Sequence, residues 1–152
     1  MIYGLDHITI VVSDLKRSIE FYTKNLNFKY ESLEHIEGKW IDKINGIKGV
    51  SAEVAFLKAL SGEVRLELLN FKTPKSEKDK NISLPNAIGI RHIALKVKNI
   101  NEIVFQFKLN GVKMISDPIE APKDIKSGDF KSKTLCYFLD PDGILLELAQ
   151  YV

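Results

Sequence analysis

The sequence is poor in three features that each mark a class of protein. It has one cysteine, Cys136, so an internal disulfide is impossible, and no zinc-ligand spacing is present. Lys and Arg total 22 against 20 Asp and Glu, without a long block of one sign, which argues against a nucleic-acid-binding surface. No apolar run approaches the roughly 18 residues that a membrane helix requires, and no secretory signal is visible. We therefore expect a soluble, cytoplasmic protein that binds neither nucleic acid nor membrane.

Length and composition favour one compact domain. The chain has 152 residues, of which 45% are hydrophobic and 28% are charged. That is enough apolar material for a single core, and the chain is too short for two full-sized domains. We expect a single domain over 1–152 that is built from two halves. Module one covers about 1–72, a linker about 73–87 and module two about 88–152.

An internal repeat relates the two halves. Residues 4–12 read GLDHITIVV and residues 89–97 read GIRHIALKV, which aligns His7 with His92. Both segments alternate like half-buried strands, and a helical pattern follows each of them. Each half ends in a related strand, in which Glu67 and Glu147 align. The repeat therefore covers a whole module and predicts strand, helix and three strands in each half.

The remaining segments give further predictions. Asn99 and Glu102 are spaced as a capping box at the start of the second helix. Irregular segments at 38–50 and 117–132, together with the linker, are expected to surround one opening. Strand-like runs lie at 28–36, 51–59 and 63–70 in the first half, and at 112–116, 134–139 and 144–150 in the second.

Alternation along the strands indicates that the repeated polar residues meet. His7 and Glu67 lie opposite the apolar residues that face the helix, and His92 and Glu147 do the same in the second half. Two such halves packed side by side would bring two imidazoles and two carboxylates to one point. This set suits manganese, iron, cobalt, nickel or zinc, and on an octahedral ion it leaves positions open for a bidentate oxygen ligand.

Three motifs make the chain resemble a known superfamily. They are DHITIVVSDL at 6–15, RHIA at 91–94, and the segment from FLDPDG to Glu147 and Leu148 at 138–148. Together they resemble the vicinal oxygen chelate superfamily, which includes glyoxalase I, methylmalonyl-CoA epimerase, extradiol dioxygenases, and bleomycin and fosfomycin resistance proteins. The resemblance covers nearly the full chain. It implies an α+β fold of two tandem βαβββ modules that form a cupped mixed sheet with the helices on the outside.

The resemblance also implies a metal site and a reaction. The family's metal ligands carry over to four positions in this chain: His7, Glu67, His92 and Glu147. This set looks like that of glyoxalase I and implies one divalent ion (Ni, Zn, Mn, Co or Fe) and no other cofactor. The implied enzyme is a lyase or isomerase similar to lactoylglutathione lyase. It would chelate a small oxygenated substrate and transfer a proton through an enediolate, with Glu147 or Glu67 as the base.

The superfamily leaves several functions open. The alternatives are a drug-binding or resistance protein of the bleomycin or fosfomycin type, an enzyme like methylmalonyl-CoA epimerase, and an extradiol dioxygenase. The epimerases typically carry Gln at the position of Glu67, and the dioxygenases use two His and one Glu. Glyoxalase I usually has an arginine soon after the first histidine, where this chain has Ile10, Val11 and Val12. The substrate, the metal and the use of glutathione therefore stay open.

Further expectations concern the substrate and the assembly. Arginine is scarce, so Arg65 and Lys96, both on the ligand-bearing face, are candidate contacts for an anionic small molecule. Tyr137 and His35 are further candidate substrate contacts, whereas Cys136 is expected to pack as a small buried residue. A homodimer is expected because open sheet edges in such modules are covered by pairing. The metal site can lie within one chain or be shared between two.

Overall fold

The computed structural model describes residues 1–122 and 130–152 and consists of two compact units, Met1–Lys78 and Asp79–Val152. The first unit contains β1 (His7–Val11), α1 (Leu15–Leu26), β2 (Lys29–Glu37), α2 (Lys39–Asn45), β3 (Ser51–Lys58) and β4 (Arg65–Thr73). The second contains β5 (His92–Lys96), α3 (Ile100–Leu109), β6 (Ile119–Glu120), β7 (Lys133–Leu139) and β8 (Leu145–Tyr151). The expected α+β class is confirmed, and so is the βαβββ order of each half, with the short helix α2 added between β2 and β3 of the first.

Each unit forms one four-stranded mixed sheet. The strand orders are β1-β4-β3-β2 and β5-β8-β7-β6, and only the pairs β1/β4 and β5/β8 are parallel. The first and last strands of each unit are therefore neighbours. In register, Thr9 lies opposite Glu67 and Ala94 lies opposite Glu147. This pairing places the histidine-bearing strand beside the glutamate-bearing strand in both units.

One face of each sheet packs against a helix and is apolar. In the second unit the Phe107 ring of α3 lies 5.0 Å from the Phe138 ring of β7. Phe138 pairs in register with Leu146 of β8, so the same face carries Leu146 and Leu148, each 1% exposed. Because side chains alternate along a strand, Glu147 lies on the opposite face. The apolar core thus leaves the other face available for polar groups.

Two amides in equivalent places of the repeat fix the helix starts. The Asn70 side chain of β4 donates to the carbonyls of Val12 and Ser13 at 2.8 and 3.1 Å, just before α1. The Gln150 side chain of β8 accepts from the Ile100 amide at 2.9 Å, at the first residue of α3. The Asn70 amide thus pairs two carbonyls of the turn before α1, whereas the Gln150 oxygen pairs an N–H group that the start of a helix leaves without an intrahelical acceptor.

The predicted capping box at α3 is wrong. Asn99 has a left-handed backbone with φ of 58°, and its side chain makes no capping hydrogen bond. The Glu102 carboxylate instead accepts from the Gln106 side chain at 3.2 Å. A capping box needs an extended residue at the cap, as at Asp14, where φ is −137° and the side chain accepts from the Arg17 amide. The left-handed backbone of Asn99 does not meet that requirement.

The segment 38–50 is more ordered than the sequence predicts, because it contains α2. Ile41 of α2 and Val50 pack with Ala52 in a small apolar cluster. The Asp42 carboxylate accepts from the Gly49 and Val50 amides at 2.9 and 2.8 Å and so closes the turn after the helix. Burial of Ile41 and this local bonding hold a helix of seven residues that the sequence pattern does not reveal.

The predicted strand at 112–116 is also wrong. This segment makes only an isolated bridge between Met114 and Phe138. The amides of Ile115 and Ser116 both donate to the Tyr137 carbonyl, so the strand ladder does not continue there. Pairing with β7 resumes at β6, within the segment 117–132 that was expected to be irregular. Residues 123–129 of that segment lie outside the described residues.

The linker expected at 73–87 overlaps the end of β4 at Thr73, and residues 74–91 contain neither helix nor strand. Within the described part of the chain, no helix is both long and apolar enough to span a membrane.

Candidate metal centre

The first unit brings His7 and Glu67 together on the sheet face opposite α1. The Nε2 atom of His7 lies 3.5 Å from Oε2 of Glu67. The Thr9 hydroxyl donates to the same Oε2 at 2.8 Å. Both contacts follow from the parallel pairing of β1 with β4, because Thr9 is the register partner of Glu67. The Glu67 carboxylate is thus held by a neutral donor, with 17% of its side chain exposed.

Asp6 orients the His7 ring from outside this pair. Its Oδ2 atom lies 2.7 Å from Nδ1 of His7 and 3.3 Å from a guanidinium nitrogen of Arg65. The hydrogen bonds from His7 and Arg65 lower the pKa of Asp6 below its usual value, so this group is an ionised acceptor. We infer that Nδ1 carries the proton and donates to Asp6, which leaves the Nε2 lone pair for a ligand. A carboxylate behind a metal-binding histidine commonly fixes its tautomer in this way.

The second unit brings His92 and Glu147 together in the equivalent place. Nε2 of His92 lies 3.3 Å from Oε2 of Glu147, and only 4% of the Glu147 side chain is exposed. The Lys133 ammonium lies 2.9 Å from the other carboxylate oxygen, Oε1. The Tyr137 ring, opposite Glu147 in register, has its centre 5.3 Å from the centre of the His92 ring.

Burial and local charge shift the pKa values of two groups around Glu147. The hydrogen bond to Glu147 raises the pKa of Lys133, although burial acts in the other direction. Burial and then the Glu147 charge raise the pKa of Tyr137. Lys133 is therefore a cation and Tyr137 a neutral phenol at physiological pH. An ammonium holds Glu147, whereas a hydroxyl holds Glu67, so the two carboxylates are equivalent in the repeat but differ in environment.

Each donor pair has the spacing of two ligands of one divalent metal. Adjacent donors of an ion bound at about 2.1 Å lie roughly 3 to 3.4 Å apart, and the two His–Glu separations are 3.5 and 3.3 Å. Imidazole nitrogen and carboxylate oxygen together suit the divalent ions from manganese to zinc. Over residues 1–122 and 130–152, no group of three or more His, Cys, Asp or Glu side chains is arranged to hold a metal. Each unit by itself thus presents one pair of donors.

The other candidate residues have different surroundings. Arg65 pairs with Asp6, and its guanidinium lies 5.5 Å from the centre of the Phe56 ring. Both contacts hold the guanidinium within the first unit. Lys96 lies on the same face as His92 and has its ammonium 5.7 Å from the centre of the Tyr151 ring. Arg65 is therefore less available to a substrate than Lys96.

His35 and Cys136 lie away from the donor pairs. Nε2 of His35 is 3.1 Å from the Glu37 carboxylate. The register places His35 opposite Glu53, on the face that points away from Glu67. Cys136 is fully buried as expected, and burial raises the pKa of its thiol to about 11.

Sequence reasoning missed Asp6 and Lys133. Asp6 lies just before the first strand, so the alternation of side chains along that strand does not predict the direction of its carboxylate. Lys133 lies outside the repeated positions, and its approach to Glu147 depends on the register of β7 against β8. The only signal for Asp6 was its position next to His7, and no signal pointed to Lys133.

Known proteins share this sequence pattern and fold. Residues 4–148 match the Glyoxalase/Bleomycin resistance protein/Dioxygenase superfamily. The uncharacterized protein YaeR of Escherichia coli strain K12 is 29% identical over 144 residues, which are 95% of this chain and 93% of YaeR. The crystal structure of a glyoxalase family protein from Bacillus cereus has a TM-score of 0.86 and 26% identity, covering 100% of this chain and 96% of the other.

A structure of the trypanothione-dependent glyoxalase I of Leishmania major is also similar. Its TM-score is 0.64 at 26% identity, over 97% of this chain and 86% of that one. The match over residues 4–148, the duplicated βαβββ unit and the fold similarity agree. The chain belongs to the Glyoxalase/Bleomycin resistance protein/Dioxygenase superfamily.

Proposed function

We propose that the protein is a metal-dependent lyase or isomerase of the glyoxalase type, similar to lactoylglutathione lyase. The observation that carries this proposal is the recurrence of one donor pair: a histidine Nε2 lies 3.5 Å from a glutamate Oε2 in the first unit and 3.3 Å in the second. The proposed ligands of one divalent ion (Ni, Zn, Mn, Co or Fe) are His7, Glu67, His92 and Glu147. A site within one chain and a site shared by two chains would use the same four ligands.

When bound, such an ion would supply a Lewis acid for two adjacent oxygens of a small substrate. The chain's own residues would move the proton. The carboxylate of Glu67 or Glu147 takes it from the carbon next to a carbonyl and returns it to the neighbouring carbon, so no oxidant or reductant is needed. Thr9 and Lys133 orient these carboxylates through their contacts at 2.8 and 2.9 Å.

The surroundings of Glu147 favour an enzyme over a protein that only sequesters a ligand. The Glu147 carboxylate, with 4% of its side chain exposed, is paired with Lys133 through Oε1 at 2.9 Å and still presents Oε2 to His92 at 3.3 Å. A binding protein has no need of such a group in both repeats. We further propose an anionic small molecule as substrate and action in the cytoplasm, because the single cysteine fits a reducing compartment.

Exchange of substrate hydrogen with solvent tests the proposal even when the final product is unidentified. Protein loaded with nickel, zinc or manganese is incubated in D2O with hemithioacetals of methylglyoxal and a panel of small thiols, including glutathione. Proton NMR then measures exchange at the carbon next to the carbonyl. We expect exchange that requires metal and that falls by about 10²-fold or more in Glu67→Gln or Glu147→Gln, whichever is the base.

A matched control is Glu53→Gln, since Glu53 lies on the opposite face and pairs with Lys72 at 2.7 Å. This variant should exchange at the parent rate. Parent rates in both Glu67→Gln and Glu147→Gln would show that neither carboxylate transfers the proton. Equal exchange by metal-free and metal-loaded protein would contradict the metal-dependent reaction.

A further inference from the structure

A row of apolar side chains lies beside the first donor pair. In register across the first sheet, Val11 of β1, Leu69 of β4 and Val54 of β3 are neighbours. Leu69 follows Glu67 by two residues along β4, which is roughly 7 Å in an extended strand. Because alternate residues of a strand share a face, this apolar row lies on the same face as His7 and Glu67.

The apolar row is open next to the donor pair and is closed further along the strands by helix α2. Val11 is 43% exposed, whereas Leu69 is half-buried and Val54 only 5% exposed. Ile41 of α2 belongs to a small buried cluster against which Leu69 and Phe71 pack. The open surface is therefore short. Apolar surface beside a few polar groups that fix orientation is typical of small-molecule sites.

The charged groups around the apolar row disfavour an anion there. Glu34 of β2 lies opposite Val54 in register and on the same face, so its carboxylate would repel a second negative charge. Arg65 lies two residues from Glu67 in the other direction along β4, where it pairs with Asp6 at 3.3 Å. The row therefore suits an uncharged apolar group.

We propose that Val11, Leu69 and Val54 form a subsite for a short, uncharged alkyl or aryl arm of the substrate, next to its two metal-binding oxygens. This inference rests on the proposed function, in which His7 and Glu67 are two of the metal ligands. The arm lies along β1 and β4 and points toward α2, which limits its length. The substrate class is thus a carbonyl compound with a short apolar substituent, whose anionic group lies away from this arm.

Hydroxamates with alkyl tails test the subsite, because a hydroxamate presents two adjacent oxygens to a metal. The probes are acetohydroxamate, butanohydroxamate, hexanohydroxamate and octanohydroxamate, and isothermal titration calorimetry on nickel-loaded protein measures their dissociation constants. We expect the affinity to rise about three- to fourfold for each methylene that the row buries, starting from acetohydroxamate. The rise should level off before octanohydroxamate, because α2 ends the row. A rise that continues to octanohydroxamate would contradict this end of the subsite.

A charged tail and three variants assign the preference to the apolar row. Hexanohydroxamate should bind about tenfold more tightly than adipic acid monohydroxamate, in which a carboxylate replaces the terminal methyl group. Val11→Arg should reverse this order, because it places a cation in the row. Val11→Thr keeps the shape of the side chain and should lower the gain per methylene. Leu33→Thr is the matched control, since Leu33 is 47% exposed on the face opposite Glu67, and it should behave as the parent.

The probes separate failure of the subsite from failure of the metal centre. Equal affinities of the four alkyl hydroxamates for the parent protein, as when a second copy of the chain covers the row, would refute the subsite and leave the metal centre intact. The parent's gain per methylene in both Val11→Arg and Val11→Thr would place the preference on another surface and overturn the proposal. Binding of no hydroxamate to protein supplied with nickel would refute both, since acetohydroxamate needs only the metal.

Discussion

Lys133→Met tests how much the cation beside Glu147 contributes to the stability of the fold. The ammonium lies 2.9 Å from Oε1 of Glu147, and the two side chains are 20% and 4% exposed. Methionine keeps the length of the side chain but removes its charge, so the substitution leaves a buried carboxylate without its cation. Removing one partner of a buried pair costs about 3–5 kcal/mol. Because Lys133 keeps some contact with water, we expect about 3 kcal/mol.

Lys108→Met is the matched control. Lys108 pairs with Asp117 at a shorter distance, 2.6 Å, but the side chains are 53% and 74% exposed. An exposed pair of this kind contributes at most about 1 kcal/mol, because water screens both charges. The two variants therefore compare the same chemical change at a buried and at an exposed carboxylate.

Urea unfolding followed by circular dichroism, in the presence of EDTA, measures both free energies of unfolding. Glu147→Gln and the double variant with Lys133→Met complete a cycle that isolates the interaction of the pair. We expect the double variant to be more stable than Lys133→Met alone, because it leaves no buried charge. Equal losses in Lys133→Met and Lys108→Met, or a coupling near zero in the cycle, would refute the reasoning.

Three further predictions concern other parts of the chain. Burial raises the pKa of Cys136 to about 11, so Ellman's reagent at pH 8 should label it only after unfolding in urea, and rapid labelling of the folded protein would contradict this. Backbone amides of Gly49 and Val50 lower the pKa of Asp42 below 3.8. Its contribution to stability is therefore present above that pH and lost as the pH falls through the lowered value. Asp42→Asn should lower the urea midpoint at pH 7 and have little effect at pH 2. An equal effect at both pH values would show that the charge of Asp42 is not the source of the stabilisation. We expect a homodimer, which in analytical ultracentrifugation should have about twice the chain mass of 17.2 kDa. A monomer at micromolar concentration would contradict this prediction.

The repeated strand pattern explains why the donor pairs were accessible from the sequence. Side chains alternate with a period of two, so the positions of His7 and Glu67 fix the face on which each lies. Placing them side by side also requires β1 to pair with β4, which the order of strands in the repeated unit supplies. The same reasoning holds for His92 and Glu147, where the equivalent parallel pair is β5 with β8.

Features that depend on the exact strand register or on local backbone geometry could not be predicted from the sequence. Lys133 reaches Glu147 from a position four residues before Tyr137, the register partner of Glu147, and only the three-dimensional packing shows which lysine does so. The backbone of Asn99 is left-handed although its spacing to Glu102 matches a capping box. Helix α2 is too short for a helical period to stand out, and its stability comes from the burial of Ile41.

Metal content tests the central claim most directly. Protein purified without chelator and dialysed against nickel, zinc or manganese is analysed by inductively coupled plasma mass spectrometry, with circular dichroism as a check on folding. We predict one ion per chain in the parent and in His35→Ala, whose histidine lies on the opposite face. His7→Ala and His92→Ala should each retain the fold and lose most of the metal. A content near zero in the parent, or one ion per chain in both His7→Ala and His92→Ala, would contradict the proposed metal centre.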